Sequence, residues 1–214
     1  MKENLTEIVF IIDKSGSMFD VAKDTIGGFN SFVENQKKEP GEATLTTVLF
    51  DTSYETIHDG VNINEARPLT RDDYRPIGMT ALYDALGYTI DEVGRRLYET
   101  PEEQRPSKVI FVITTDGYDN ASNEYTRTQV RNMITHQTEK YSWEFIFLGA
   151  NIDAEEAATG IGISPAMSSG YTASSIGTVA LYNTVTKAVS DYRCSGSIKN
   201  DWNADLVTNE SITL

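Results

Sequence analysis

The chain has 214 residues, and 32 Asp or Glu against 18 Lys or Arg give it a formal net charge of −14. This acid excess disfavours binding to nucleic acid or to anionic lipid, because both need a concentrated basic face. Hydrophobic residues make up 39% of the chain, which is enough for one domain with a buried core. One cysteine, Cys194, and two histidines, His58 and His136, are too few for a disulfide framework or a Cys- or His-rich metal centre.

The sequence also bears on the compartment. No apolar run approaches the ~20 residues that a membrane span needs. The first residues, Met-Lys-Glu-Asn-Leu, lead into a strand-like run and do not resemble a signal-peptide core. We therefore expect a cytoplasmic protein with no membrane partner.

The strands are the clearest predicted elements. Four continuous runs rich in β-branched and aromatic residues predict strands buried on both faces, as in the interior of a parallel sheet. In chain order these runs are 8–12, 44–50, 108–113 and 143–148. The stretch 54–61 is predicted to pair with the second run as an antiparallel strand at the edge of the sheet.

Helices are predicted between the strands, because apolar residues recur three or four positions apart. The four stripes are Ala22, Ile26, Phe29, Val33; Leu82, Leu86, Ile90, Val93, Leu97; the weaker Val130, Met133, Ile134, Gln137; and Leu181, Val185, Ala188, Tyr192. Thr80 is available to cap the second helix, and Ser174 or Ser175 the last.

This alternation of strand and helix predicts an α/β fold. We expect a doubly wound (Rossmann-like), mostly parallel six-stranded sheet with helices on both faces and one antiparallel edge strand. The domain is predicted to span residues 1–193. Residues 194–214 are polar without a clear period, and they form either a disordered tail or a segment docked on the domain.

Polar residues follow the predicted strands at the edge where such sheets bind ligands. Asp13-Lys14-Ser15-Gly16-Ser17 follows the first strand, Thr115-Asp116-Gly117 follows the run 108–113, and Gly78-Met79-Thr80 precedes the second helix. Singly, each cluster is an ordinary turn or cap. Together they offer hydroxyls and carboxylates but no imidazole or thiol, the ligands that Mg²⁺ and Mn²⁺ prefer.

These three clusters resemble the metal-ion-dependent adhesion site of the von Willebrand factor A family, with its Asp-x-Ser-x-Ser, single Thr and Asp-Gly. The resemblance covers roughly residues 5–193. It implies that Ser15, Ser17 and Thr80 contact a divalent ion through their hydroxyls, and that Asp13 and Asp116 hold it directly or through water. Mg²⁺ is the expected ion, with Mn²⁺ or Ca²⁺ as alternatives. Met79 stands where a second glycine is common, which leaves the ligands unchanged.

The resemblance implies a protein-binding module and not an enzyme. An ion held mostly by neutral hydroxyls keeps positive charge and an open position, which an Asp or Glu of a partner protein would fill. We expect an adaptor or scaffold. The alternative is a metal-dependent hydrolase or phosphatase that uses the same acidic site. That chemistry favours a second Asp two residues after the first, where this chain has Ser15, or a catalytic histidine.

The remaining candidate residues have ordinary structural interpretations. His58 and His136 are both predicted to lie on the surface and not to act as bases. Asp20, Asp84 and Asp119 either rim the predicted metal site or serve as caps and solvated charges.

Overall fold

The fold is built on one six-stranded sheet, seen in a computed structural model that describes residues 1–206. The strands are β1 (Lys2–Asp13), β2 (Glu42–Phe50), β3 (Tyr54–Asn62), β4 (Pro106–Thr115), β5 (Glu144–Gly149) and β6 (Ser168–Gly170). They are ordered β3-β2-β1-β4-β5-β6 across the sheet. Neighbouring strands are parallel except for the antiparallel pair β2 and β3 at one edge. The predicted sheet is therefore confirmed.

Within residues 1–206, five α-helices cover the two faces of this sheet. They are α1 (Ala22–Gln36), α2 (Leu82–Glu99), α3 (Arg127–Tyr141), α4 (Ala154–Gly160) and α5 (Ser175–Ser195). Helices α1 and α5 pack on one face, and α2, α3 and α4 pack on the other. The four helices predicted from the apolar stripes are α1, α2, α3 and α5.

The central strand β1 contributes to both cores. Ile8, Phe10 and Ile12 point to the face covered by α1 and α5, whereas Val9 and Ile11 point to the face covered by α2 and α3. All five side chains are fully buried. Because alternate residues of a strand face opposite sides, a strand between two helical layers must be apolar throughout.

The strand order reverses at β1, which has β2 on one side and β4 on the other. The chain segments that leave the carboxyl ends of β1 and β4 therefore start beside each other. In open α/β sheets this is the place where ligands bind. The topology thus brings the first and the last of the predicted site motifs together.

The caps of two helices were predicted from serine and threonine positions. Ser174 does cap α5, since its hydroxyl accepts a hydrogen bond from the Gly177 amide at 3.1 Å. The assignment of Thr80 as the cap of α2 is wrong. That helix begins after Ala81, and two amides of its first turn, those of Tyr83 and Asp84, donate to the side chains of Asp119 and Ser122 instead.

The end of the chain continues past α5. Within residues 196–206, the Trp202 side chain is buried and its indole Nε1 donates to the Ala166 carbonyl at 2.8 Å. The predicted tail, 194–214, extends to residues 207–214, which lie outside the described residues, so the domain boundary stays a prediction. Among residues 1–206, no helix is long and apolar enough to cross a membrane. The expected compartment also stays a prediction.

Candidate metal centre

Asp13 is the most deeply placed of the predicted ligands. It ends β1 and is fully buried. The Ser15 amide donates to its Oδ1 at 2.7 Å, and the Thr115 hydroxyl at the end of β4 donates to its Oδ2 at 2.6 Å. The adjacent strand ends therefore hold this carboxylate through both oxygens.

The two serines connect Asp13 to the second predicted carboxylate. The hydroxyl oxygens of Ser15 and Ser17 lie 3.2 Å apart, and the Ser17 hydroxyl donates to Asp116 Oδ1 at 2.6 Å. Ser15 and Asp116 are buried, whereas Ser17 is exposed. Four of the five predicted ligands thus form one contiguous group that reaches the surface at Ser17.

Thr80 reaches the same place through the loop that precedes α2. The Gly16 amide donates to the Gly78 carbonyl at 3.2 Å, and Gly78 has a positive φ of 76°, which favours glycine. The Thr80 hydroxyl lies 3.6 Å from where a Cβ on Gly117 would stand, so it borders the residue that follows Asp116. The structure therefore brings all five predicted side chains together.

Three further residues position the site but were given no role from the sequence. The side-chain oxygen of Asn120 accepts a hydrogen bond from the Thr80 backbone amide at 2.9 Å, and the backbone amide of Asn120 donates to the Thr80 carbonyl. Thr115 holds Asp13 as described, and the buried Tyr74 hydroxyl donates to the Asp13 carbonyl. Thr115 precedes the Asp-Gly pair and Asn120 follows it by three residues, so their position in the sequence could have suggested a supporting role. No local pattern marks Tyr74.

The two carboxylates of the site have no positively charged partner in the part of the chain that the structure describes. Burial raises the pKa of Asp13, and the nearby charge of Asp116 adds to this, while the hydrogen bonds from Thr115 and Ser15 lower it. Among residues 1–206, no ion pair joins Asp13 or Asp116 to a Lys, Arg or His. Two close carboxylates without a cation are costly to bury, and a bound cation would offset that cost.

The donor set fits a hard divalent cation. It consists of three hydroxyls and two carboxylates, all oxygen ligands of the kind that Mg²⁺, Mn²⁺ and Ca²⁺ accept. The part of the chain that the structure describes has no group of three or more His, Cys, Asp or Glu side chains placed to hold a metal. Any cation here would therefore depend on the hydroxyls as well as the carboxylates. That these five residues bind a metal stays a prediction.

The acidic residues suggested as a rim have mostly structural contacts. Asp84 accepts from the backbone amides of residues 123, 124 and 125, which anchors the loop before α3. Asp119 accepts from the Tyr83 amide at 3.2 Å and from the Ser122 hydroxyl. Asp20 is exposed. Asp84 and Asp119 therefore order the loops beside the site.

The surface prediction for His58 is wrong. Its side chain is 5% exposed, and its ring nitrogens contact the Thr47 hydroxyl at 3.0 Å and the Arg67 carbonyl at 3.1 Å. The segment after β3 folds back over the edge strand and covers it. His136 is exposed on α3, as predicted. Both ring nitrogens of His58 are occupied, and α3 carries His136 towards the amino ends of the strands, away from the candidate metal centre.

No protein-family model matches the sequence, and the comparison with curated proteins also finds no match. Solved structures do match, with low sequence identity. Proximal thread matrix protein 1 from the mussel byssus, whose MIDAS motif is occupied by zinc, is 16% identical with a TM-score of 0.61. The match covers 88% of this chain and 46% of that one, so the chain spans about half the length of the mussel protein.

Two other solved structures have the same fold. The manganese-loaded TRAP protein of Plasmodium vivax has a TM-score of 0.57 at 15% identity, covering 85% of this chain and 73% of that one. The ArnB paralog VWA2 from Sulfolobus acidocaldarius has a TM-score of 0.54 at 14% identity, covering 87% and 45%. At such identities the likeness concerns the fold. The chain has the von Willebrand factor A fold.

Proposed function

We propose that this protein is a divalent-cation-dependent protein-interaction module and not an enzyme. Asp13, Ser15, Ser17, Thr80 and Asp116 would hold the cation, with Mg²⁺ as the physiological ion. The observation that carries the proposal is the convergence of these five oxygen-bearing side chains, whose two carboxylates have no cationic partner among residues 1–206. The metal-loaded sites of the mussel and Plasmodium proteins support it by analogy.

The role we assign to each residue follows from its hydrogen bonds and its burial. Asp13 is fixed by Thr115 and the Ser15 amide, so it supplies a rigid negative charge at the base of the site. Ser15 and Thr80 supply neutral oxygens, and the exposed Ser17 leaves the site open to a partner. A bound divalent ion would supply an electropositive centre for a carboxylate.

The partner we propose is a protein that presents an Asp or Glu side chain. The chain itself has a net charge of −14, so an acidic partner is repelled by most of the surface. Only the cation would reverse the sign of the charge locally. Recognition of an acidic side chain would therefore depend on the metal and be lost in a chelator.

The direct test is Mg²⁺ binding by titration calorimetry to the wild type and to Asp13→Asn. The variant removes a buried charge at constant shape, and we expect it to remain folded and to lose at least about tenfold in affinity. Asp20→Asn is the matched control, because it removes an exposed acid three residues after Ser17. The assignment of Asp13 to the metal site would be contradicted if Asp13→Asn bound Mg²⁺ as tightly as the wild type. It would also be contradicted if both variants lost the same amount of affinity.

The partner and the hydrolase alternative are tested with the same variants. We expect a pull-down from the source organism to retain a partner in Mg²⁺ and to lose it in EDTA or with Asp13→Asn. A screen with generic phosphatase and esterase substrates should give no turnover. Turnover that needs the metal and disappears in Asp13→Asn would instead establish the hydrolase.

A further inference from the structure

A second cleft lies at the opposite end of the sheet from the candidate metal centre. It is formed by the last turns of α2, the end of α3 and the start of β4, and its volume is about 570 Å³. These elements meet at the amino ends of the parallel strands, whereas the metal centre is at the carboxyl ends. The volume is within the range of sites for small organic ligands.

The walls of the cleft are largely apolar and aromatic. Ile90, Val109 and Trp143 line it and are almost fully buried. The Trp143 indole is stacked on Phe111, with ring centroids 5.3 Å apart, so its position is fixed by the core. Tyr98 and Tyr141 line the cleft with exposed rings, 80% and 53% accessible. Flat apolar walls of this kind suit an aromatic ring.

Arg105 gives the cleft a positive charge that is held in place. Its Nε donates to the Thr100 carbonyl at 2.7 Å, and its Nη2 donates to the Tyr98 carbonyl at 2.8 Å. These bonds use two of the five N–H donors of a guanidinium. Within residues 1–206, Arg105 forms no ion pair with a carboxylate. Its side chain is therefore oriented and retains donors for an anion.

The second arginine of the cleft differs in this respect. Arg95 is paired with Glu99 at 3.2 Å, and both side chains are well exposed. A carboxylate of its own helix therefore competes with any other anion for this guanidinium. Arg95 and Arg105 thus allow a comparison between a paired and an unpaired arginine in one cleft.

A further lining residue has an unsatisfied polar group. The Oε1 atom of Gln137 is buried without a hydrogen-bond partner among the described residues. A buried amide oxygen without a partner destabilises the fold, because it has lost its hydrogen bonds to water. A rotation of this side chain towards the cleft would let a donor group in the cleft satisfy it.

We propose that this cleft binds a small aromatic carboxylate, whose ring lies against Trp143 and Tyr98 and whose carboxylate is bound by Arg105. Guanidinium and carboxylate groups match in charge and in planar geometry. The aromatic ring takes the apolar volume, and a ring N–H would provide a donor for Gln137. This site is independent of the metal centre.

The test uses indole-3-acetate and its neutral analogue indole-3-acetamide as probes, with titration calorimetry in the presence of EDTA. The two probes have nearly the same shape and differ in charge. We expect the wild type to bind the acetate about tenfold more tightly, the effect of one charge-assisted contact. The ¹H–¹⁵N signal of the Trp143 indole should shift on binding of either probe.

Two arginine variants identify which guanidinium causes the preference for the acetate over the acetamide. Arg105→Gln should abolish the preference for the acetate, whereas Arg95→Gln should retain it, because Arg95 is already paired with Glu99. Equal affinity of the wild type for both probes, or an unchanged preference in Arg105→Gln, would overturn the proposal. The comparison of probes on the wild type needs no variant, so a folding defect cannot obscure the result. The presence of EDTA separates it from the proposed metal-dependent function.

Discussion

Two buried tyrosines, Tyr74 and Tyr182, differ in their hydroxyl contacts. Tyr74 donates to the Asp13 carbonyl, whereas the Tyr182 hydroxyl is buried without a partner among the described residues. Both rings are almost fully buried. A hydrogen bond that is made contributes about 0.5–1.5 kcal/mol, and a polar group buried without one carries an uncompensated desolvation cost.

We therefore predict opposite outcomes for the same substitution. Tyr74→Phe should lower the free energy of unfolding by about 1 kcal/mol, and Tyr182→Phe should leave it unchanged or raise it. Urea denaturation at neutral pH, followed by fluorescence, measures both. Each variant is the control for the other, since the ring is retained in both. A similar loss of stability in the two variants would refute the assigned difference.

At the scale of a single element, His58 secures the edge strand β3. Because the Arg67 carbonyl can only accept, Nε2 carries the hydrogen of the neutral ring, and Nδ1 accepts from the Thr47 hydroxyl. Burial lowers the pKa of His58. The hydrogen bond to the Arg67 carbonyl and the carboxylate of Asp73 oppose this lowering, whereas the charges of Arg67 and Lys37 add to it.

A pH dependence follows from that lowered pKa. The unfolded chain takes up a proton on His58 near pH 6.5, while the folded chain does so only at lower pH. The free energy of unfolding should therefore fall as the pH decreases from about 7.5 to 5.5, and it should fall further in the wild type than in His58→Gln. Urea titrations at the two pH values give this difference. Parallel pH profiles for the two proteins would exclude the effect.

The elements differ in how far they could be predicted from the sequence. Strands β1, β2, β4 and β5 are continuous apolar runs, because both faces are covered by helices. Strand β6 has only three residues, Ser168–Gly170, and its polar composition resembles a loop. Helix α4 has seven residues, too few for an apolar stripe to repeat.

A contact between residues distant in sequence explains why His58, at the sheet edge, is buried and not exposed as predicted. The segment that covers His58 is held by Asn30, whose side-chain amide donates to the Leu69 carbonyl and whose Oδ1 accepts from the Leu69 amide. These residues are 39 positions apart. No local pattern carries such information, so the edge strand was expected to leave His58 exposed.

The ligand residues of the candidate site were easier to predict than the residues that position them. The segments after β1 and β4 had to be neighbours in a doubly wound sheet, which placed Asp13 and Asp116 together. Thr80 was expected at the same edge because it precedes the second predicted helix, and the family resemblance added only its role as a ligand. The contact between Gly16 and Gly78 that holds its loop there has no local sequence pattern. Tyr74 lies in a long irregular segment before α2, and only the folded structure reveals its contact with Asp13.

For the whole molecule, the candidate metal centre exists only in the folded state. The Ser17 hydroxyl and the Asp116 carboxylate are 99 positions apart in sequence and 2.6 Å apart in space. The unfolded chain cannot assemble these ligands. A cation that binds here therefore binds the native state alone, and binding must stabilise the whole fold.

Thermal unfolding should reveal this linkage. At a Mg²⁺ concentration of about 100 times the Kd, the free energy of unfolding should rise by about 2.7 kcal/mol, which corresponds to a Tm increase of roughly 5–10 °C for a domain of this size. Calorimetry with and without Mg²⁺ measures this increase. Because the net charge is −14, any salt also reduces self-repulsion, so NaCl at equal ionic strength is the reference.

The Asp13→Asn variant separates specific binding from screening. Without Mg²⁺ it should be at least as stable as the wild type, because it lacks a buried carboxylate beside Asp116. With Mg²⁺ at this concentration its Tm should rise by at most about half of the wild-type increase, because a site that is tenfold weaker contributes only about 1.4 kcal/mol. The order of stability of the two proteins should therefore reverse when the cation is added. An equal Mg²⁺-dependent increase in both would mean that the ion acts on the general charge and not at this site.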